Sequence, residues 1–408
     1  MNRKHFTASS PGKLVPIRLS VKKADPLAEP SVVKTSAFVP NPLPPDVDWN
    51  AIKLEHYEAS EQTISVLGKL NGLHKRIGNA AGLLRTLWMR EAKLSSAIEG
   101  IETTAEELVL AGANRDPSVR EQSRESFNYV EALEHGIRSD LPWSRRVICE
   151  MHLRLLSGVR GEDKRPGQLR DRGVYIGDRS AGPLKARFVP MPAADVPEAL
   201  STLEKFVNAR HRHIPPLFVV ALTHYQFETI HPFNDGNGRI GRVLISRSLV
   251  KEGLLEHPVV YMSSYINEHR DEYVDLLLKI SQKGGHFWSK WIGFILAAIR
   301  TQAADAIWRS ERLITLRETF RDRLTETNAP VRLFDVVESL FKLPAVNVAD
   351  IVEQTGVTKP TASSDLRRLE DLEILREYTG NTYDRDWVAP KIIDVIEQET
   401  PLDVETAK

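Results

Sequence analysis

Between Thr229 and Arg242 the chain reads Thr-Ile-His-Pro-Phe-Asn-Asp-Gly-Asn-Gly-Arg-Ile-Gly-Arg. An imidazole, a carboxylate, two glycines around an asparagine and two guanidiniums fall within one loop and one helical turn. Gly236 and Gly238 let the backbone turn successive N–H groups toward one concavity, an anion nest. A helix starting near Gly238 adds its unused N–H groups and its positive dipole end. Arg239 and Arg242 are three apart, so on a helix they share a face and can grip phosphate oxygens. Asp235 stands where a single carboxylate can hold a hard cation such as Mg²⁺, with phosphate and water completing the octahedron. An imidazole ordinarily titrates near neutrality and can take a proton from an attacking hydroxyl, a part that His231 fills. Singly, His-Pro is a turn, Gly-Asn-Gly a loop tip and a pair of arginines a solvated face. Their conjunction in one short run describes a triphosphate site with a base beside it.

From His231 to Arg242 the run resembles, position for position, the signature of Fic-domain proteins, most of which transfer AMP from ATP to a hydroxyl side chain of a target protein. The resemblance implies His231 as general base, Phe233 as the anchor of the loop and Asp235 as the Mg²⁺ ligand. It implies Gly236, Asn237 and Gly238 as the anion hole and Arg239 and Arg242 as phosphate ligands. In the Doc-like branch, which transfers phosphate, a lysine replaces the glycine found here at Gly238, so the glycine favours nucleotidyl transfer.

The elements that must carry this loop are largely helical. The stretch Leu54 to Ala111 has leucines at helical spacing, among them Leu67, Leu70, Leu73, Leu87 and Leu94. It contains Ser95-Ser-Ala-Ile-Glu99-Gly100, in which Ser95 and Glu99 share a face and Gly100 is a helix stop. On its own that is a serine and a glutamate on a wet face. Beside the signature it resembles the inhibitory motif of Fic proteins that carry an inhibitory helix ahead of the catalytic core. The resemblance implies that Glu99 engages Arg242 and denies that guanidinium to the γ-phosphate, so that ATP binds with its α-phosphorus misaimed.

Downstream, Arg165-Pro-Gly-Gln-Leu-Arg-Asp-Arg-Gly-Val-Tyr-Ile-Gly177 leads through a polar tip to Phe188 and Val189, and Val174, Tyr175 and Ile176 are strand formers. The pattern is a β-hairpin. In Fic proteins a similar segment is the flap, whose edge pairs with the target backbone by strand addition; Pro190-Met191-Pro192 departs mildly from the Pro-Pro often found there. Leu217, Val220, Ala221, Tyr225 and Phe227 predict a buried helix before the loop, and Ile240, Val243 and Leu244 the buried face of the helix after it. In Met262 to Tyr273 the resemblance places His269 and Tyr273 in an adenine pocket, while an amphipathic helix capped by Ser264 accounts for them equally well.

After Asn328-Ala-Pro330 the pattern resets to three short helices and two strands around a Gly380-Asn381 turn with Thr382-Tyr383 beyond it, the order of a winged helix-turn-helix. From Lys359 to Arg376 the cations Lys359, Arg367, Arg368 and Arg376 are matched by Asp365, Glu370, Asp371 and Glu373. A recognition helix without net positive charge is poorly suited to a phosphate backbone, so the module reads as a docking or dimerisation unit rather than a DNA reader.

Composition agrees. The chain has 408 residues, with 55 basic and 55 acidic side chains, enough for two to three domains and against a general nucleic-acid or membrane surface. Cys149 is the only cysteine, which excludes a disulfide framework and a cysteine-based zinc site; in its apolar run it is a core filler. His211 and His213 flank Arg212 without a third ligand, a surface loop. No apolar run approaches a membrane span or a signal-peptide core, so a soluble cytoplasmic protein is expected. The expected fold class is mainly α: a helical Fic core with a β-hairpin flap, an N-terminal helical region and a small C-terminal winged helix. The expected division is an extended arm without fixed order over 1–40, a helical region with the inhibitory helix over 41–125, a catalytic core with closing helices over 126–325 and the winged module over 329–408. The expected activity is transfer of AMP from ATP to Ser, Thr or Tyr of target proteins, including the chain itself, held back by Glu99. The rivals are a nucleotide-sensing transcriptional regulator and, on the same fold, a de-AMPylase or phosphoryl-type transferase.

Overall fold

The computed structural model describes residues 3–21, 31–76, 80–113, 121–177, 182–380 and 385–400. In chain order, strands β1 (Gly12–Val21) and β2 (Ser31–Pro40) precede helices α1 (Trp49–Glu55), α2 (Tyr57–Arg76), α3 (Ala80–Ile98), α4 (Ala105–Ala113), α5 (Glu121–Arg138) and α6 (Arg145–Leu156). Helices α7 (Val196–Asn208), α8 (Pro216–Ile230), α9 (Asn237–Lys251), α10 (Ser263–Glu268), α11 (Arg270–Lys283) and α12 (Phe287–Glu326) follow. The chain goes on through α13 (Arg332–Leu340), β3 (Ala345–Asn347), α14 (Val348–Thr355), α15 (Lys359–Asp371), β4 (Arg376–Glu377), β5 (Asp386–Val388) and α16 (Pro390–Glu397). The class is mainly α with small sheets, as the periodicity predicts. No described helix is long and apolar enough to cross a membrane.

Two compact units interleave along the chain, Met1–Ser65 with Glu131–Arg300, and Val66–Val130 with Thr301–Lys408, whereas composition alone suggests a linear series of domains. In the first unit, the described opening residues, 3–21 and 31–40, are not an unordered arm. β1 and β2 pair antiparallel from Gly12↔Pro40 to Val21↔Ser31. Alternation explains the pairing: Leu19 and Ala37 face a small core with Ala186 and Val189, and Val15, Ile17 and Tyr175 pack against it. Among the described prolines, Pro11 precedes β1 and Pro40 ends β2, while Pro16 lies inside β1, a position that an edge strand tolerates.

The heart of this unit is α8, buried along nearly its whole length from Leu217 to Ile230. A helix apolar all round belongs inside a bundle. The indole N–H of Trp291 donates to the Ala221 carbonyl at 2.8 Å, so the opening turns of α12 satisfy a core polar group while packing on α8.

In the second unit, α3 ends at Ile98, and Gly100 closes it in the left-handed region (φ 78°), the stop expected of that glycine. The Glu91 carboxylate on α3 accepts from the Tyr129 hydroxyl at 3.0 Å. A three-stranded sheet runs in the order β3-β5-β4. α14 opens with a capping box between Asn347 and Asp350 and closes at Gly356 (φ 71°). Arg332 grips Asp365 through two bonds of 2.8 and 2.9 Å, which takes one of the acids counted on α15 out of the solvated surface. Asn381, Thr382 and Tyr383, expected in the wing, lie outside the described residues.

Candidate active site

Helix α8 has to end where its apolar run does, and Pro232 ends it. The terminating residue, His231, adopts the left-handed conformation (φ 51°, ψ 65°), and its N–H still bonds the Phe227 carbonyl at 3.0 Å. Glycine or asparagine is usual at such a position; a histidine there is held by its surroundings. Arg170, 2% exposed, donates from Nε to the His231 carbonyl at 2.8 Å and from Nη2 to the carbonyls of Met191 (2.6 Å) and Ile230 (3.3 Å). Its Nη1 reaches the Arg172 carbonyl at 3.2 Å and its own N–H the Pro232 carbonyl at 2.9 Å. Burial pushes its pKa down to about 10, which leaves it a cation at neutrality. His231 Nδ1 lies 3.3 Å from the Glu228 carbonyl. With the proton on Nδ1 donating there, Nε2 is the basic nitrogen.

The loop from Pro232 to Gly236 is clamped at both ends. Asn237 accepts from the Phe233 N–H at 2.8 Å and returns a bond from Nδ2 to the Phe233 carbonyl at 2.9 Å, so its side chain serves the loop and only its backbone faces an anion. Phe233 is fully buried and stacks face to face on His152, with ring centroids 3.8 Å apart and planes 5° from parallel. The tautomer of His152 follows from its partners. Nδ1 accepts from the Gly167 N–H at 2.9 Å, so Nε2 carries the proton and donates to the Asp235 carbonyl at 3.0 Å. Burial, ahead of the charge of Arg239, pushes the His152 pKa down to about 4, which keeps this neutral relay intact at ordinary pH.

Gly236, left-handed at φ 74°, is the residue before α9. A Cβ there would come within 3.1 Å of Leu155 and 3.6 Å of His152, so glycine is needed for both conformation and space. The Gly236 N–H is met by Asp235 Oδ1 at 2.7 Å, and that contact fixes the carboxylate at the mouth of the nest. Arg239 and Arg242 are each 3% exposed. Burial on this scale removes the solvated-face reading of the pair, since cations are kept inside only with compensation. Gly241 between them admits the Glu228 carboxylate: a Cβ at that position would lie 2.0 Å from Oε1.

Tyr273, expected in an adenine pocket, is buried with its hydroxyl against His224 Nε2 at 2.9 Å, so it faces inward as a wall. His269 is half-buried, stacked on Tyr265 at 4.1 Å, with Nδ1 3.0 Å from the Tyr265 carbonyl. Among the described residues, the expected flap hairpin shows one antiparallel bridge, Ile176↔Phe188, with an N–H···O distance of 2.8 Å; residues 178–181 lie outside the described residues. Val174, Tyr175 and Ile176 are half-buried, and β2 joins the flap's return arm through the Phe38 N–H on the Val189 carbonyl at 2.9 Å. In the second unit, Ser95 is buried at the end of α3 and Glu99 is exposed just past it. Sequence reading missed His152, Arg170 and Glu228. Arg170 was in view, three residues beyond Gly167 in the Arg-Pro-Gly run; His152 sits among the apolar positions of α6 and reads there as core.

The chain matches the Fic/DOC family over residues 142–249 and the Fic/DOC family N-terminal region over residues 57–138. It is a Fic-domain protein. It is 30% identical over 131 residues to the protein adenylyltransferase Fic of Culex quinquefasciatus, covering 32% of this chain and 23% of that one. To the protein adenylyltransferase Fic of Drosophila melanogaster it is 30% identical over 138 residues, covering 34% and 24%. The chain thus spans about a quarter of the length of the curated relatives it matches. A crystal structure of a Fic family protein from Desulfovibrio desulfuricans covers 81% of this chain and 95% of its own, with a TM-score of 0.50 at 19% identity, a likeness of fold.

Proposed function

We propose that the chain is a protein adenylyltransferase that moves AMP from ATP to a Ser, Thr or Tyr hydroxyl of target proteins, itself included. The observation that carries this reading is the pairing of a left-handed, backbone-clamped His231 with a glycine nest that opens directly into a helix start bearing Arg239 and Arg242. His231 Nε2 takes the proton of the attacking hydroxyl. The N–H groups that follow Gly236 and the two guanidiniums hold the triphosphate so that the α-phosphorus lies in line with that oxygen, and pyrophosphate departs. The relatives' names support nucleotidyl transfer, as does glycine at position 238.

Asp235 suits Mg²⁺. It offers one carboxylate at the nest mouth, steadied by the Gly236 N–H, and Mg²⁺ characteristically takes its remaining oxygens from phosphate and water. When bound, the ion would neutralise charge that develops on the phosphates. His269 and Tyr273 are proposed to border the base, and Val174 to Ile176 to offer the target a strand edge. Glu99, at the end of α3, is proposed as the autoinhibitory residue. The segment from α13 to β5 is read as a winged helix-turn-helix that docks protein or a second copy of the chain. DNA binding is disfavoured because α15 and β4 together carry four cations, Lys359, Arg367, Arg368 and Arg376, against four acids, Asp365, Glu370, Asp371 and Glu377.

The deciding experiment is intact-mass measurement of protein incubated with MgATP. We expect addition of AMP by the wild type or the Glu99→Gly variant and a loss of about 100- to 10 000-fold in rate for His231→Ala. A mass shift of phosphate alone, or undiminished labelling by His231→Ala, would overturn the reading.

A further inference from the structure

The first sheet has a one-sided charge. Its strands carry Lys13, Arg18 and Lys34, the described residues ahead of them add Arg3 and Lys4, and the described residues 3–21 and 31–40 hold no aspartate or glutamate, in a chain whose formal charge is zero. Arg18 and Lys34 are direct cross-strand partners and both are exposed. Like charges placed opposite each other weaken a strand pair, and among the described residues neither has a carboxylate partner. The two cations and Arg3, whose Nε bonds Ser36 Oγ at 2.5 Å, line a surface cavity of about 710 Å³ together with Ile17 and Leu184. Leu184 is 69% exposed, an aliphatic side chain displayed at the rim of a cationic hollow.

The hollow adjoins the flap. Leu184 sits in the 3₁₀ turn Pro183–Lys185 of the flap's return arm, and Val15, Ile17 and Leu19 of β1 pack with Ala186, Val189 and Tyr175, Ile17 also reaching the hollow. A polypeptide lying along the flap edge therefore has this hollow within its onward path. From the charge, the aliphatic rim and this continuity we propose that the sheet formed by β1 and β2 is a second docking surface that recognises an acidic segment of the target polypeptide. The inference rests on the reading of the site as a protein-modifying centre. Nucleic acid fits less well, because the lining holds aliphatic residues and no aromatic platform among the described residues, and only three cations.

The test is fluorescence anisotropy with the 408-residue chain and a short labelled peptide of glutamates interspersed with leucines. Its glutamine counterpart, a single-stranded oligonucleotide and phosphatidylserine vesicles are run beside it. We expect the acidic peptide to bind at least about tenfold more tightly than the glutamine peptide and to weaken as salt rises. The double variant Arg18→Glu with Lys34→Glu is expected to lose about tenfold or more. The double variant Arg18→Gln with Lys34→Gln is expected to fall between, and it keeps the test valid if charge reversal disturbs the strand pair. Equal binding of the two peptides, unchanged binding by the glutamine-for-cation variant, or tighter binding of oligonucleotide or vesicles would each overturn the proposal. The measurement needs no ATP, so its failure is distinct from a failure of AMP transfer, which is read by mass.

Discussion

Arg170 donates from Nε to the carbonyl of His231 across 2.8 Å, while the rest of its guanidinium binds three further carbonyls and, among the described residues, no carboxylate. A planar fork of donors is being used to hold backbone rather than charge. Lysine has no such fork. We expect Arg170→Lys to lower kcat about tenfold or more while the Kd for ATP moves little, because the base is displaced and the nest is not. Calorimetric ATP binding beside turnover would check this; equal losses in both would show a general collapse of the site.

Gly241 offers a sharper steric test. A methyl group there would lie 2.0 Å from Glu228 Oε1, so Gly241→Ala must expel the carboxylate or bend α9. We expect AMP transfer to fall strongly and the melting temperature to drop by several degrees, against ~1 kcal/mol of gain for the same change in an unobstructed helix. Unaltered melting would mean that Glu228 moves aside without cost.

Glu99 is tested by release. Glu99→Gly is expected to raise AMP incorporation by about tenfold to a hundredfold, and Ser95→Ala, buried one helical turn earlier, to raise it less. Labelling by Glu99→Gly that does not exceed wild type would remove the inhibitory role.

His224 makes stability depend on pH. Burial, and secondarily the charge of Arg242, lowers its pKa from 6.5 to about 3. A histidine held neutral in the fold takes up its proton more readily when unfolded, so its contribution is complete above about pH 6.5 and is lost as pH falls toward 3. The loss approaches about 1.4 kcal/mol per pH unit within that window. His224→Gln, which keeps a partner for the Tyr273 hydroxyl, is expected to flatten this acid limb in urea titrations at successive pH values. Parallel limbs for the two proteins would assign the acid sensitivity elsewhere.

The helical class was legible because helical spacing of apolar residues survives in α2, at Leu67, Leu70 and Leu73, and in α9, at Ile240, Val243 and Leu244, and because α8 carries Leu217, Val220, Ala221, Tyr225 and Phe227. The nest was legible because glycine, histidine and arginine are chemically distinctive and adjacent in the chain. His152 was not, since its part depends on Gly167 and Asp235, each many residues away, and a histidine beside Met151 and Leu155 carries no local mark. The pairing of β1 with β2 escaped for a related reason. Its strands are edge strands with polar outer faces, and the core they share with Ala186 and Val189 exists only once the flap has folded. The inward turn of Tyr273 likewise depends on His224, a residue of a different helix.

The left-handed backbone at His231 has a practical corollary for anyone evolving this chain. A residue with no side chain would relax the φ angle there and make the fold sturdier, yet it would delete the imidazole. On the proposed reading of His231 as general base, selection for heat resistance alone is therefore drawn toward an inert protein at this position, and the histidine marks a place where durability is surrendered to chemistry.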